Sequence, residues 1–243
     1  MLPLPPGSQV FADADAVARA AADHLLQIVA DAPGERIAIC LSGGSTPKRL
    51  YALLASPDYV ERLPWSRIHW FFGDDRVVPW DDVRSNVRLV REAFGHGETT
   101  PAGHFHFIPS DHGPEAGARA YAETLADYYG SPSLESGRPL FDLVLLGLGG
   151  DGHTASLFPG KPEVDEREAW VVPVPEAGME PFVPRISLTL PALASSRSLL
   201  YLVTGEGKRA PLRRIADGED LPAGRVASVG RTAWFLDRAA ADA

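Results

Sequence analysis

Apolar residues recur along the chain with a period typical of amphipathic helices. Asp13 can cap a helix that runs to about Val29. Four apolar residues share one face of this helix: Val17, Ala21, Leu25 and Ile28. The same period predicts three further helices, at about residues 47–56, 86–94 and 113–129. Pro47 suits the first position of its helix, because the N–H that proline lacks is not needed there.

Short apolar runs between these segments predict strands. The strongest run is 141–147, whose nearly continuous apolar sequence suits a strand covered on both faces. Six further strands are predicted, at 36–41, 68–72, 170–174, 185–190, 198–204 and 233–236. Strands that alternate with helices predict an α/β fold, a doubly wound domain with a largely parallel sheet flanked by helices. Because no repeat or linker interrupts the 243 residues, we expect a single domain over 1–243.

Composition narrows the class of protein. Apolar residues make up 45% of the chain and charged residues 23%, as in ordinary soluble proteins. No apolar run approaches the ~18 residues that would span a bilayer. The first residues lack the basic and apolar segments of a signal peptide, so a cytoplasmic location is expected. The lone Cys40, in a predicted buried strand, agrees with this and receives no chemical role.

The net charge of -9 argues against nucleic acid as a partner, since binding to a phosphate backbone needs an excess of basic residues. An anionic ligand must therefore be met by a few basic groups near glycine-rich turns. In parallel sheets, ligands bind at the carboxyl ends of the strands. Three loops that leave such ends, after Leu41, Phe72 and Gly147, contain candidate functional residues.

The first loop combines glycines and hydroxyls with the start of a helix, which makes it a candidate phosphate site. Its candidate ligands are Ser42, Gly43, Gly44, Ser45 and Thr46. It is not a P-loop, because no Gly-Lys-Ser/Thr occurs in the chain. The segment also resembles the Gly-x-Ser-x-Gly turn of hydrolases, but Pro47 replaces the second glycine, which disfavours Ser45 as a nucleophile. A simple strand-to-helix turn remains an alternative.

The second loop contains Asp74, Asp75 and Arg76, followed by Asn86 at the start of a predicted helix. Solvated charges and a helix cap would explain such residues without any function. Their position at the end of a strand favours a functional role for Asp74 and Arg76.

The third loop formally matches the Gly-x-Gly-x-x-Gly pattern of dinucleotide-binding proteins. We reject this interpretation, because Pro159 and Gly160 would end any helix here, and Asp151 would place a negative charge beside the diphosphate. The loop instead presents His153, whose ordinary pKa of ~6.5 suits proton transfer near neutral pH.

Two basic residues, Arg185 and Lys208, are further candidates for binding phosphate, although each could equally be a solvent-facing charge. His104, His106 and His112 invite the hypothesis of a metal site, but no carboxylate or cysteine completes a ligand set. No metal and no cofactor are therefore expected.

Together these segments resemble the 6-phosphogluconolactonase family, from the first helix to the closing Trp234-Phe235-Leu236-Asp237. The motifs 41–47, 73–79 with Ser85-Asn86, 149–159 and 185–189 occur in the order of that family. Asp75 stands where the family usually has glutamate. The resemblance implies a Rossmann-like fold and hydrolysis of 6-phospho-D-glucono-1,5-lactone without a cofactor or an obligate protein partner.

The resemblance also implies roles for the site residues. His153 would transfer protons, Asp74 would orient His153 or the attacking water, and Arg76 would offset the charge of the oxyanion. The phosphate would be bound by Ser42, Gly43, Gly44, Ser45, Thr46, Arg185 and Lys208.

Glucosamine-6-phosphate isomerase/deaminases are a related alternative. They typically follow their histidine with Ile-Ala-Phe-Asn-Glu-Pro, and this chain lacks that acidic residue in 154–159. A non-catalytic sugar-phosphate sensor domain is a third alternative, but a sensor has no need of both Asp74 and His153.

Overall fold

The computed structural model describes residues 4–95 and 103–242. These ranges contain ten strands: β1 (Ser8–Phe11), β2 (Ile37–Leu41), β3 (Ile68–Phe72), β4 (Asp74–Arg76), β5 (His104–Phe105), β6 (Phe141–Leu146), β7 (Val171–Val174), β8 (Arg185–Leu188), β9 (Ser196–Val203) and β10 (Arg231–Asp237). Seven of them form one parallel sheet in the order β1-β10-β9-β6-β2-β3-β5. This confirms the predicted doubly wound α/β fold.

Helices flank this sheet. Within the described ranges they are α1 (Ala14–Asp31), α2 (Ser45–Leu54), α3 (Asn86–Ala93), α4 (Gly113–Tyr129), α5 (Leu190–Ala194), α6 (Arg209–Ala216), α7 (Pro222–Arg225) and α8 (Arg238–Ala241). The predicted cap of α1 is present, since the Asp13 side chain accepts a hydrogen bond from Ala16 N at 2.8 Å. The prediction for Pro47 was wrong in one detail, because α2 begins at Ser45 and Pro47 is its third residue. Pro47 is still tolerated, since N–H groups of the first turn have no partner within a helix.

The central strands form the core. Every residue of β2 is buried, as are Leu143, Val144, Leu145 and Leu146 of β6. Each fully buried Leu, Ile or Val side chain contributes roughly 1.5–3 kcal/mol relative to an exposed one. Because helices cover these strands, the stable core of the sheet is a fixed base for the loops at its carboxyl edge.

The remaining three strands form a separate antiparallel sheet in the order β4-β8-β7. The strands predicted at 170–174 and 185–190 are present as β7 and β8, and they belong to this second sheet and not to the parallel one. β8 ends at Leu188 because α5 begins at Leu190. Antiparallel pairing sets Asp74 opposite Ser187 and Arg76 opposite Arg185. The small sheet therefore brings two predicted site segments together.

The order of strands also locates the crevice where a ligand can bind. The chain proceeds from β2 to β3 and β5 in one direction, and β6, β9 and β10 extend the sheet in the other. In open α/β sheets such a reversal leaves a crevice outside the carboxyl ends of the two strands that flank it. Here these strands are β2 and β6, which lead into the first and third loops.

Candidate active site

A cavity of about 240 Å³ lies at the carboxyl ends of β2 and β6. Eight of the ten predicted site residues line it: Ser42, Gly43, Gly44, Asp74, Arg76, His153, Arg185 and Lys208. Ser45 and Thr46 are outside this lining. A roomier cavity of about 740 Å³ lies near the opposite ends of the strands, but its charged side chains are already paired, Arg138 with Glu135 and Arg197 with Asp142.

The first loop is held in place by a tyrosine of α2. Ser42 N donates a hydrogen bond to the Tyr51 hydroxyl at 2.9 Å, and this hydroxyl donates to Ser42 O at 2.8 Å. Burial raises the pKa of Tyr51, so the hydroxyl remains a donor. Gly43 must be glycine, because a Cβ there would lie 2.0 Å from Asn86 Oδ1. The loop backbone is therefore fixed at the entrance to α2.

The start of α2 has no side-chain cap. Its N-cap residue is Gly44, with φ of 110°, a conformation that favours glycine. The N–H groups of the first turn are thus available to an anion. Ser45 is exposed, whereas Thr46 is buried and its hydroxyl lies 2.7 Å from that of Thr204. Thr46 consequently joins α2 to the loop after β9.

The two aspartates of the second loop differ in their partners. Asp75 is 1% exposed, and its carboxylate accepts hydrogen bonds from Asn86 N (2.7 Å), Arg76 N (2.8 Å) and the Ser85 hydroxyl (3.0 Å). Burial raises the pKa of Asp75 to about 6, although these hydrogen bonds by themselves would lower it. The interpretation of Asp75 as a solvated loop charge was therefore wrong: Asp75 joins the loop to α3.

Asp74, by contrast, lines the cavity. It is 6% exposed, and its Oδ2 accepts a hydrogen bond from the Ser156 hydroxyl at 2.5 Å. Asn86 Nδ2 donates to Asp74 O at 2.9 Å and lies 3.3 Å from Asp74 Oδ1. Arg76 donates from Nη1 to Arg84 O at 2.5 Å. Its buried Nε has no hydrogen-bond partner among the described residues.

The third loop contains a histidine paired with an aspartate. His153 Nδ1 lies 2.6 Å from Asp151 Oδ1, and the same oxygen accepts a hydrogen bond from His153 N at 3.0 Å. Partial burial alone would raise the pKa of Asp151, but the hydrogen bonds and charge of His153 outweigh it, so this pKa lies below its usual value. The imidazole also packs on the Phe158 ring, with centroids 4.7 Å apart. Its Nε2 has no hydrogen-bond partner in the described ranges.

This pair revises one expectation. Asp151 is the hydrogen-bond partner of His153, whereas no hydrogen bond joins Asp74 to the imidazole among the described residues. From the sequence alone, Asp151 stands out only as a negative charge that disfavours a dinucleotide. An Asp-Gly-His sequence nonetheless indicates such a pair, because an aspartate side chain often accepts a hydrogen bond from the backbone N–H two residues later. Gly152, at φ of 95°, supplies the bend that this contact needs.

Two cations complete the cavity wall. Arg185 is 2% exposed and donates from Nη2 to Met179 O (2.9 Å) and Pro181 O (3.2 Å). Lys208 Nζ donates to Leu148 O at 2.6 Å. Burial lowers the pKa of both groups, and nearby Asp74 and Asp151 respectively oppose that effect. Arg185 is thus a buried cation and Lys208 a half-buried one, and both suit an anionic ligand that would compensate for their lost hydration.

The other histidines lie away from this cavity. His69 Nδ1 is 2.9 Å from His106 Nε2, and the rings of His69 and His104 stack with centroids 4.5 Å apart. Burial, with nearby positive charge, lowers the pKa of His69 to about 4. His112 precedes α4. Within 4–95 and 103–242, no group of three His, Cys, Asp or Glu side chains is arranged to hold a metal ion, and no helix is long and apolar enough to cross a membrane.

Comparison with known proteins gives consistent matches. A family model described as glucosamine-6-phosphate isomerases/6-phosphogluconolactonase matches residues 12–234. A 6-phosphogluconolactonase of Synechocystis sp. is 38% identical over 210 residues, which cover 84% of this chain and 83% of that relative. The structure of 6-phosphogluconolactonase from Trypanosoma cruzi is similar with a TM-score of 0.84 and 29% identity, covering 98% of this chain and 97% of that one. A monomeric glucosamine-6-phosphate deaminase gives a TM-score of 0.79 over 96% of this chain and 98% of its own, but at 21% identity this likeness shows the fold alone.

Proposed function

The chain belongs to the family of glucosamine-6-phosphate isomerases and 6-phosphogluconolactonases, and from this premise we propose that it hydrolyses 6-phospho-D-glucono-1,5-lactone to 6-phospho-D-gluconate. This is the second step of the oxidative pentose phosphate pathway. The observation that carries the proposal is His153, which is held by Asp151 and lines one cavity together with Asp74 and the cations Arg185 and Lys208. The single cysteine of the chain, Cys40, is buried and forms no disulfide. This suits the proposed cytoplasmic location, where thiols stay reduced.

The chemistry follows from the needs of ester hydrolysis. Asp151 accepts the Nδ1–H of His153, which leaves the basic lone pair on Nε2. In the proposed reaction Nε2 removes a proton from water while the water oxygen bonds to C1 of the lactone. The carbonyl electrons move to the exocyclic oxygen and return when the bond from C1 to the ring oxygen breaks. The imidazolium then gives its proton to the ring oxygen.

The other groups are assigned by charge. Asp74 orients the attacking water, since it lines the cavity and the hydrogen bonds of its carboxylate go to Ser156 and Asn86. Arg76 offsets the negative charge of the oxyanion. The phosphate is bound by the N-terminus of α2, by the two cations and by the first loop: Ser42, Gly43, Gly44, Ser45, Thr46, Arg185 and Lys208. Contacts with the phosphate, remote from C1, position the carbonyl for attack.

Turnover by the purified protein tests this proposal. We expect it to accelerate the loss of 6-phosphogluconolactone over spontaneous hydrolysis, measured by trapping the 6-phosphogluconate formed. It should release no ammonia from glucosamine 6-phosphate. Ammonia release without lactone hydrolysis would replace the proposal with the deaminase alternative, and binding of sugar phosphates without turnover would favour the sensor alternative.

Lys208→Ala should raise KM for 6-phosphogluconolactone about ten- to hundredfold, because a hydrogen bond to a charged group contributes ~1.5–3 kcal/mol. Its kcat should change little, since contact with a distant phosphate is the same in the ground state and the transition state. Steady-state kinetics would measure both constants.

Two controls isolate the role of the phosphate. Lys161→Ala removes a lysine that pairs with Glu176 outside the cavity, and it should leave KM unchanged. Gluconolactone without phosphate should be a poor substrate for the parent and no poorer for Lys208→Ala. Equal losses on both lactones would show that Lys208 does not bind phosphate.

A further inference from the structure

Ser156 is a fully buried residue of the third loop to which the proposed reaction gives no role. It is 0% exposed, and its hydroxyl lies 2.5 Å from Asp74 Oδ2, although the two residues are 82 positions apart in the chain. Its backbone N–H donates to the Ser187 hydroxyl at 3.2 Å. The backbone of Ser156 is thus hydrogen-bonded to β8, and its side chain is hydrogen-bonded to the carboxylate of Asp74.

The backbone before Ser156 is strained. Ala155 has φ of 48°, the one positive value outside glycine in residues 4–95 and 103–242. A left-handed conformation is costly for alanine, and such residues persist only where the surrounding structure requires them. The turn is closed by the pairing of Thr154 with Leu157. Its effect is to direct Ser156 back towards Asp74, on the side of the cavity that also holds His153.

The Ser156 hydroxyl has a second partner besides Asp74. Arg185 Nη1 lies 3.5 Å from the Ser156 hydroxyl oxygen. A guanidinium can only donate, so the serine oxygen accepts from Arg185 while its proton is donated to Asp74 Oδ2. The two oxygens of Asp74 are then held separately, Oδ2 by Ser156 and Oδ1 by Asn86 at the longer distance of 3.3 Å.

We propose that Ser156 is a positioning residue, whose buried hydroxyl holds the Asp74 carboxylate in the orientation that the hydrolytic step requires. The inference rests on the proposed lactonase function. Without the hydroxyl, Asp74 would keep only the longer contact with Asn86 and could rotate away from the water. Phosphate binding would be preserved, because the first loop and Lys208 have no hydrogen bond to Ser156 and Arg185 keeps its shorter hydrogen bonds to Met179 O and Pro181 O.

Ser156→Ala should therefore lower kcat for 6-phosphogluconolactone about ten- to hundredfold, the loss expected for one hydrogen bond to a charged group, with little change in KM. Ser156→Cys, which keeps a weak donor, should lose less activity than the alanine variant. This second variant also provides a test if the alanine variant does not fold.

Ser187→Ala is the matched control. Ser187 is equally buried and bonds to the Ser156 backbone, but its hydroxyl donates to Leu188 O and not to Asp74. It should lower the unfolding temperature as Ser156→Ala does while retaining the parent kcat.

Three results would overturn the inference: a parent kcat in folded Ser156→Ala, an equal loss of kcat in Ser187→Ala, or a raised KM with unchanged kcat, which would assign the hydroxyl to Arg185. A parent protein without lactonase activity would instead reject the proposed function itself.

Discussion

Replacing His153 by alanine should lower kcat for 6-phosphogluconolactone by about 10²- to 10⁴-fold, the usual contribution of a general acid–base group. The imidazole supplies both proton transfers in the proposed reaction, and Asp151 cannot replace it, since Asp151 lies on the Nδ1 side of the ring. The phosphate contacts remain, so KM should change little. Stopped assays corrected for spontaneous hydrolysis would measure the loss.

Thermal unfolding separates this prediction from a purely structural role. His153 packs on Phe158 and bonds to Asp151, so its removal could also weaken the loop. A structural histidine would give an unstable variant whose folded fraction retains the parent kcat. Ser45→Ala is the control for a covalent serine mechanism, and it should retain kcat and weaken phosphate binding alone, because Ser45 is assigned to the phosphate and lies outside the cavity lining. An inactive Ser45→Ala together with an active His153→Ala would reject the proposed mechanism.

Gly149→Ala should lower kcat about 10²-fold, the order of loss that a displacement of about 1 Å in a reacting group can cause. A Cβ on residue 149 would lie 2.0 Å from His153 Nδ1, which is the atom that bonds to Asp151. The imidazole can avoid this contact only by rotating, and it then loses the Asp151 hydrogen bond. Because the His153 side chain moves and the loop backbone does not, we expect a large loss of activity with only a small decrease in the unfolding temperature.

Gly150→Ala adds the same methyl group one residue later, where no atom lies within 4 Å. Its loss of kcat should stay below about tenfold, since the imidazole keeps its place. Similar kcat values in the two variants would show that the position of His153 does not depend on glycine at 149. A crystal structure of Gly149→Ala would show the rotated ring directly.

The sequence predicted the parallel sheet because its central strands are continuous apolar runs, which need little tertiary information. It did not predict β1, where the exposed Val10 weakens the apolar pattern and the partner, β10, is at the other end of the chain. The small antiparallel sheet was missed for a related reason. A strand signal in 170–174 and 185–190 identifies the conformation but not the strand that pairs with it.

The sequence predicted the positions of the candidate site residues better than their partners. Position at strand ends identified Asp74 and His153, because parallel strands place those ends at one edge of the sheet. The partners of these residues depend on side-chain contacts between distant segments, and the Ser156–Asp74 hydrogen bond has no counterpart in any local pattern. Arg185 was predicted from its charge, but its contacts with Met179 O and Pro181 O follow from the loop between β7 and β8.

The position of β1 at the edge of the sheet has a consequence for how the protein matures on the ribosome. Ser8 pairs with Trp234, so nearly the whole chain must be translated before the first strand meets its neighbour. At ~5–20 residues per second, this interval lasts roughly ten seconds or more. The remaining strands can assemble during translation, starting with the adjacent β2 and β3, whereas β1 must join after β10 has emerged. Completion of this edge therefore awaits the synthesis of β10, and nascent chains stalled before β10 should leave residues 8–11 open to proteases.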